Sequence, residues 1–198
     1  MAKKIILFAA ILLLTAACSK DDNPIYYPQP AVKLDEKPLA KFVYNLGFDT
    51  NHRYTTHFGV HWGYAFRPTV NGKISALTVR IATVEGTGKD AIVRLWDKTT
   101  GEMLISEDID VPQEYESREL EAPIAPIELT AGHEYIITGS YNYIFHHFNQ
   151  DNSAGNYPLT LGSIDFLNSV FIDGDGIPAN PGTTSYNGDV GFVFRKTE

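Results

Sequence analysis

The chain of 198 residues has a single cysteine, Cys18, so no disulfide bond can form within it. Basic residues are also scarce, since 16 Lys and Arg stand against 24 Asp and Glu. This deficit argues against nucleic acid and anionic membrane surfaces as partners, because both attract positive charge. No apolar run approaches the roughly 20 residues that a membrane-spanning helix needs. The stability of the protein must therefore come from an ordinary hydrophobic core.

Obvious helical periodicity is absent as well, whereas aromatic residues are abundant, with 11 Tyr and 11 Phe. Aromatic and β-branched residues are enriched in strands. Here they occur in short alternating runs that are separated by turn residues. This pattern predicts an all-β domain, folded as an antiparallel β-sandwich.

Residues 1–17 predict a secretory signal peptide, because a basic start is followed by an apolar stretch and small residues. The sequence LLLTAAC that ends at Cys18 resembles a bacterial lipobox, in which cleavage precedes the cysteine and lipid is attached to it. The alternative is an ordinary signal peptide followed by a chance cysteine. A lipidated Cys18 predicts an outer membrane lipoprotein, anchored by several acyl chains.

The predicted mature N-terminus is acidic and rich in proline. Residues 19–22, SKDD, resemble an export tag that sends lipoproteins to the outer face of the cell, although a solvated tether is an equal interpretation. Proline recurs through residues 18–38, which predicts an extended linker. Residues 39–198 form the predicted sandwich domain. Loss of the signal peptide with its two lysines takes the formal net charge from −8 to near −10.

The clearest strand pattern lies at residues 60–81. Aromatic and apolar residues occupy every second position there and share one face of a strand: Val60, Trp62, Tyr64 and Phe66. The pair Asn71-Gly72 is typical of a tight reversal, and a second alternating run begins at Ile74. These features predict a hairpin at the centre of the domain.

Other segments complete the predicted sandwich. Strands are expected around residues 42–46, along residues 135–143 and at residues 189–195, while residues 49–58 are expected to be a loop. Residues 144–188 contain many Gly and Pro together with apolar side chains. We expect this segment to be an irregular flap over one end of the sandwich, with a short strand near residues 169–172.

Four segments together resemble a bacterial family, the domain of unknown function 4082: FRPTVNGKISALTVRI, VRLWDKTTGEMLIS, PIELTAGHEYIITGSY and SYNGDVGFVF. The likeness runs from about His57 to Phe194. It implies a jelly-roll-like β-sandwich of the kind attached to cell-surface and carbohydrate-related proteins, with no established catalytic residues. We expect this chain to differ from the commoner members as a short stand-alone lipoprotein.

Motifs of catalysis are missing from the sequence. His133-Glu134 does not continue as a zinc-binding H-E-x-x-H motif, and no G-x-S-x-G elbow is present. We therefore predict a protein that is not an enzyme and needs no cofactor. Calcium is the one metal to consider, because Asp173 and Asp175 resemble the opening of a calcium loop. A plain Asp-Gly turn is the alternative.

A ligand site is predicted where the alternation of residues 135–143 ends. Rings and hydrogen-bonding groups that a sugar site requires cluster there and in neighbouring segments: Tyr54, His146, His147, Asn149 and Tyr157. The competing interpretation is that these rings attach the flap to the sandwich. Trp62, Trp96, Tyr141 and Tyr143 are further candidates for sugar stacking, with burial in the core as their alternative.

These features predict a lipid-anchored extracytoplasmic binding module. A polysaccharide is the expected ligand, and the membrane is a partner only through the anchor. The alternative is a structural or adhesive surface protein that binds another protein. A carbohydrate-active enzyme is the third possibility, since paired carboxylates need only meet in space.

Overall fold

The structure is a computed structural model, and it describes residues 35–55, 59–82, 91–112 and 118–197. The predicted signal peptide, the lipidation site Cys18 and most of the predicted linker lie outside the described residues. Within the described residues, no helix is long and apolar enough to cross a membrane.

The described residues contain one short helix, α1 (Leu39–Asn45). The strands are β1 (Thr50–Thr55), β2 (Val60–Pro68), β3 (Gly72–Arg80), β4 (Ala91–Asp97), β5 (Met103–Ile109), β6 (Leu120–Leu129), β7 (Tyr135–Ser140), β8 (Tyr143–Phe148), β9 (Leu159–Leu161), β10 (Ile164–Asp173), β11 (Asn180–Gly182), β12 (Ser185–Asn187) and β13 (Asp189–Lys196).

The strands form three antiparallel sheets. The large sheet has the order β11-β10-β2-β7-β4-β5, with β9 paired to β10. The β3 sheet has the order β13-β3-β6, and the β8 sheet has the order β1-β8-β12. Buried side chains from all three sheets and from α1 form one continuous core. The predicted antiparallel all-β sandwich is therefore confirmed.

Aromatic rings dominate the core between the sheets. Phe66 of the large sheet lies 4.7 Å from Phe192 of the β3 sheet, measured between ring centroids. Tyr64 lies 5.1 Å from Phe166 on the neighbouring strand. Rings of this size bury a large apolar area each, and tilted contacts at such distances add to that stabilisation.

The predicted alternation of the strands is largely confirmed. Trp62, Tyr64 and Phe66 all lie on the core side of β2, as their spacing indicates. Along β4, Val93 and Leu95 join this main core. Trp96 lies on the other side of the large sheet, in a second apolar cluster with Ala65, Ile136 and Val170.

The first predicted strand is wrong, because residues 39–45 form helix α1. Leu39, Phe42 and Leu46 are buried, and their spacing of three and four residues places them on one face of a helix. The alternation of Phe42 with Tyr44 indicated a strand, yet Tyr44 points to solvent with 85% of its surface exposed. The three-residue spacing of Leu39 and Phe42 indicated the helix, whereas the alternation of Phe42 with Tyr44 did not reflect the structure.

The predicted central hairpin is also wrong. Strand β2 pairs with β10 and β7, whereas β3 pairs with β13 and β6 in another sheet. The backbone N–H of Thr69 donates to the Ser163 carbonyl at 2.8 Å, so the connection is bound to a different segment. A Cβ atom at Gly72 would lie 2.2 Å from Cζ of Phe194. The lack of a side chain at Gly72 therefore makes room for the Phe194 ring and does not serve a hairpin turn.

Two further segments differ from the prediction. Residues 135–143 are not one long strand, because β7 belongs to the large sheet and β8 to the β8 sheet. Part of the predicted loop at residues 49–58 is strand β1, which pairs with β8 from Thr50 to Thr55. Both errors arise because the pairing partners are distant in sequence, which local patterns do not report.

The predicted flap at residues 144–188 is corrected most strongly. It contains β10, which pairs with β2 along nearly its whole length and places Ile164 and Phe166 in the core. The short strand expected near residues 169–172 lies within β10. Most glycines and prolines of this segment lie in the connections between the strands, whereas Pro181 and Gly182 belong to β11.

The end of the predicted linker contacts the sandwich. Arg195 Nε donates to Asp35 Oδ1 at 2.7 Å, and Glu36 forms a β-bridge with Phe194. Glu36 also accepts hydrogen bonds from Ser163, and these bonds and Lys196 lower its pKa although burial opposes them. The chain is therefore attached to the folded unit before α1 begins.

Phe42→Ala tests the packing of α1. Phe42 is fully buried, and its ring stacks on Phe166 with 4.1 Å between centroids. We expect the free energy of unfolding to fall by about 3–5 kcal/mol, the usual effect of truncating a buried phenylalanine. Urea denaturation measures the change. Tyr44→Ala on the exposed face of the same helix is the control, and a loss as large as that of Phe42→Ala would contradict the helical assignment.

Candidate functional site

The two histidines of the predicted site point to opposite faces of β8. His147 is only 4% exposed, and its Nε2 lies 2.8 Å from Oδ1 of Asp189. Its ring also stacks on the buried ring of Tyr186, with 5.8 Å between centroids. The expectation that His147 faces a shallow surface site is therefore wrong, because the alternation of β8 turns it into the core.

His146 lies on the opposite face, together with residues of both neighbouring strands. It is directly opposite His52 on β1 and Asn187 on β12. Residues directly opposite in an antiparallel sheet have Cβ atoms about 4.5–5.5 Å apart, so these three side chains are immediate neighbours.

A second row lies beside the first. Phe148 is opposite Thr50 on β1 and Ser185 on β12. The Phe148 ring contacts both imidazoles, with centroids 5.3 Å from His52 and 4.6 Å from His146. We call the surface formed by the two rows the histidine face; its members are Thr50, His52, His146, Phe148, Ser185 and Asn187.

The histidine face combines rings with hydrogen-bonding groups. His52 is exposed, and the remaining members are half-buried. Burial lowers the pKa of His146, and the nearby imidazoles of His147 and His52 lower it further. A neutral imidazole has one donor and one acceptor nitrogen, like a hydroxyl group. The face therefore offers paired donors and acceptors beside a flat apolar ring.

His147 belongs to a buried charged network at the junction of the two small sheets. Asp189 is fully buried, and its carboxylate accepts hydrogen bonds from Arg80 as well as facing His147. The Arg80 guanidinium lies 4.8 Å from the centroid of the Phe145 ring. Such a network stabilises the junction of β3, β8 and β13, since a buried carboxylate requires partners.

The other predicted site residues have local roles. Asn149 accepts a hydrogen bond from the backbone of Asp49 at 3.0 Å and donates to Ser153, so it fixes the turn after β8. Tyr157 packs on the main core beside Phe42, and burial raises the pKa of its hydroxyl. Tyr54 lies on β1 opposite Ile144, two residues after His52 of the histidine face.

The geometry does not support a calcium site at residues 173–176. Asp175 Oδ1 lies 3.0 Å from Nη1 of Arg94, so this carboxylate forms an ion pair with a guanidinium. Among the described residues, no three His, Cys, Asp or Glu side chains are grouped to hold a metal. The alternative, a turn built on Asp173-Gly174, agrees with the positive φ of Gly174.

The aromatic candidates divide between surface and interior. Trp62 is half-buried and stacks on the exposed ring of Phe171, with 5.2 Å between centroids. Trp96 and Tyr141 are buried, and Tyr143 packs against the main core. Burial in the main core describes the role of Tyr141 and Tyr143, whereas Trp96 belongs to the second apolar cluster on the outer face of the large sheet.

Of the six members of the histidine face, the predicted site contained only His146. Thr50 and His52 were assigned to a loop, while Ser185 and Asn187 were placed in the flap. The alternation of Thr50, His52 and Tyr54 was a signal for β1 that a strand-based interpretation would have used. The three-residue strand β12 is too short to leave such a signal.

Comparison with known proteins adds no functional assignment. No protein-family model matches the chain, and no curated protein is significantly similar to it. The resemblance to the domain of unknown function 4082 therefore stays a prediction.

Adjacent histidines give a matched test of the two faces of β8. His147→Ala removes a partner from the buried Asp189 carboxylate, so we expect the protein to lose about 1–3 kcal/mol of stability. His146→Ala removes a half-buried side chain from the histidine face and should cost less than about 1 kcal/mol. Urea denaturation of both variants measures the difference. Equal losses would contradict the orientation of β8.

Proposed function

We propose that the protein is a lipid-anchored extracytoplasmic module that binds a glycan through the histidine face. The observation that carries this proposal is the placement of His52, His146 and Asn187 in one cross-strand row beside the Phe148 ring. These side chains lie on the side of the β8 sheet that points away from the core, to which all three sheets and α1 contribute.

The chemistry of the face fits a sugar better than an apolar or strongly charged ligand. A pyranose presents hydroxyl groups at its edge and C–H groups on its face. The neutral imidazole of His146 and the Asn187 amide both donate and accept hydrogen bonds, and Phe148 offers an apolar surface. Backbone hydrogen bonds between β1, β8 and β12 fix the relative positions of these residues, because all three strands belong to one sheet.

The anchoring part of the proposal rests on the sequence. LLLTAAC before Cys18 and the acidic residues 19–22 support lipid attachment at the outer membrane and exposure at the cell surface. A binding module held on such a tether gains effective concentration near surface polysaccharide. The runner-up function is a structural or adhesive surface protein whose partner is another protein.

The double variant His52→Ala/His146→Ala tests the proposed site. We expect binding to an immobilised array of neutral and acidic polysaccharides to fall at least tenfold, because paired hydrogen-bonding groups are lost at the centre of the face. His133→Ala is the matched control, since His133 is a half-exposed histidine that pairs with Asp97 elsewhere. Its binding should equal that of the wild type.

Two results would refute this site. Retention of full binding by the double variant would place the ligand elsewhere on the protein. Absence of binding across the array, together with specific capture of a second surface protein, would favour the adhesive function.

Cys18→Ala tests the anchor. Without the sulfur atom no diacylglycerol can be attached, so labelling with a fatty-acid analogue should be lost and the protein should become soluble or accumulate as an unprocessed precursor. Mass spectrometry and fractionation measure both effects. Ser19→Ala is a neighbouring control that should keep the label. Unchanged mass and membrane partition in the Cys18 variant would contradict lipidation.

A further inference from the structure

The outer face of the large sheet carries polar groups that the fold leaves without partners. This face is the side that points away from the main core. The side chains of His61, Thr138 and Trp96 are each at least nine-tenths buried there. An atom of each has no hydrogen-bond partner: His61 Nδ1, Thr138 Oγ1 and Trp96 Nε1. The Nε atom of Arg94 is in the same condition.

These groups are neighbours in the register of the sheet. Thr138 on β7 lies directly opposite Arg94 on β4 and Gly63 on β2. His61 is two residues before Gly63, and its Nε2 lies 3.2 Å from Nη1 of Arg94. Trp96 is two residues after Arg94 on the same face. Gly63 has no side chain, so nothing from β2 stands opposite the Thr138 hydroxyl.

Most of these groups are hydrogen-bond donors. A guanidinium only donates, so Nε2 of His61 must accept from Arg94, and the proton of the ring is therefore on Nδ1. Burial lowers the pKa of His61 to about 4, with Arg94 acting in the same direction, so the ring is neutral at neutral pH. His61 Nδ1–H, Arg94 Nε–H and Trp96 Nε1–H are thus three donors without an acceptor. Buried donors of this kind indicate a missing acceptor.

The segment 174–179, which we call the strap, crosses this face between β10 and β11. Ile177 packs on the apolar cluster that contains Trp96. Asp175 is 90% exposed at its side chain but places Oδ1 3.0 Å from Nη1 of Arg94, which is 14% exposed. The strap therefore supplies a carboxylate to the one charged member of the donor group.

The strap is held weakly. Among the described residues, the backbone of residues 175–179 makes no hydrogen bond to another backbone group, and only Gly174 does so, to Gly59. The ion pair of an exposed carboxylate contributes little, because water screens the charge and the side chain loses freedom when it is held in place. A ligand that brings a better-placed carboxylate would displace Asp175 at little cost.

We propose that Arg94 and the neighbouring donors of the outer face bind the carboxylate of an acidic saccharide, and that Asp175 occupies this place in the unliganded protein. A carboxylate accepts several hydrogen bonds at once and pairs with a guanidinium through two parallel bonds, which matches the donors present. The saccharide class rests on the proposed glycan-binding function and on the Trp96 ring beside Arg94. The site is separate from the histidine face.

Titration with tetragalacturonate tests the proposal. The chain has two tryptophans, so Trp62→Phe leaves Trp96 as the only tryptophan reporter of ligand entry. In this background we expect tetragalacturonate to change the Trp96 fluorescence, and Asp175→Asn to strengthen binding about two- to fivefold, the worth of the displaced ion pair. Arg94→Gln should weaken binding roughly tenfold or more.

Three controls make the test specific. Asp108→Asn removes an equal charge from the exposed outer face of β5 and should change the affinity less than Asp175→Asn. The fully methyl-esterified tetragalacturonate keeps the sugar but loses the charge, and tetraglutamate keeps the charge without the sugar. Both should bind at least tenfold more weakly. Thr138→Val keeps the shape of the side chain but removes the hydroxyl, so it should also weaken binding. This variant tests the site if Arg94→Gln fails to fold.

The proposal is overturned if Trp96 responds to tetragalacturonate in neither the parent nor the Asp175→Asn variant. It is equally overturned if the ester or tetraglutamate binds as well, or if Asp108→Asn gives the same gain. If saccharide binding does not depend on Arg94 but does depend on the histidine face, only this inference is rejected. Binding that depends on Arg94 but survives His52→Ala/His146→Ala would reject the proposed face alone.

Discussion

The buried carboxylate of Asp189 is the constraint on which the arrangement of the small sheets depends. It is fully buried at the start of β13, and a buried charge is tolerated only with partners. Arg80 on β3 and His147 on β8 supply them, so the carboxylate ties together strands from two sheets. Removing a hydrogen-bond partner from a buried group typically costs about 1–3 kcal/mol, so the junction favours the observed orientation of β8.

The orientation of β8 in turn decides what reaches the surface. Because successive side chains of a strand point to opposite faces, the burial of His147 forces His146 outward. Antiparallel pairing with β1 and β12 then places His52 and Asn187 beside it. The histidine face is therefore a consequence of the Asp189 junction, although none of its members contacts the carboxylate.

Local sequence patterns predicted which face of a strand is buried, but they did not predict which strands pair with each other. The alternation along β2, β4 and β13 correctly separated core from exterior, since each strand carries its own two-residue period. The pair Asn71-Gly72 wrongly indicated a hairpin, because Gly72 makes room for the ring of Phe194 on the neighbouring strand β13. His146 could be predicted as a surface group, but its row with His52 and Asn187 depends on partners far away in sequence. Pairing of that kind is set by the packing of the whole domain.

The two polar sites in the interior differ in a way that bears on function. Asp189 is an acceptor that the chain surrounds with donors, so its demand for hydrogen bonds is met within the fold. His61, Arg94 and Trp96 are donors that the chain leaves unmatched on the outer face of the large sheet, with one exposed carboxylate from the strap nearby. Single unpaired polar atoms also occur elsewhere among the described residues, for example at Tyr64, Thr78 and Glu119, but here three donors lie together on one sheet face. The grouping of these donors beneath a weakly held segment therefore fits an acceptor that arrives from outside.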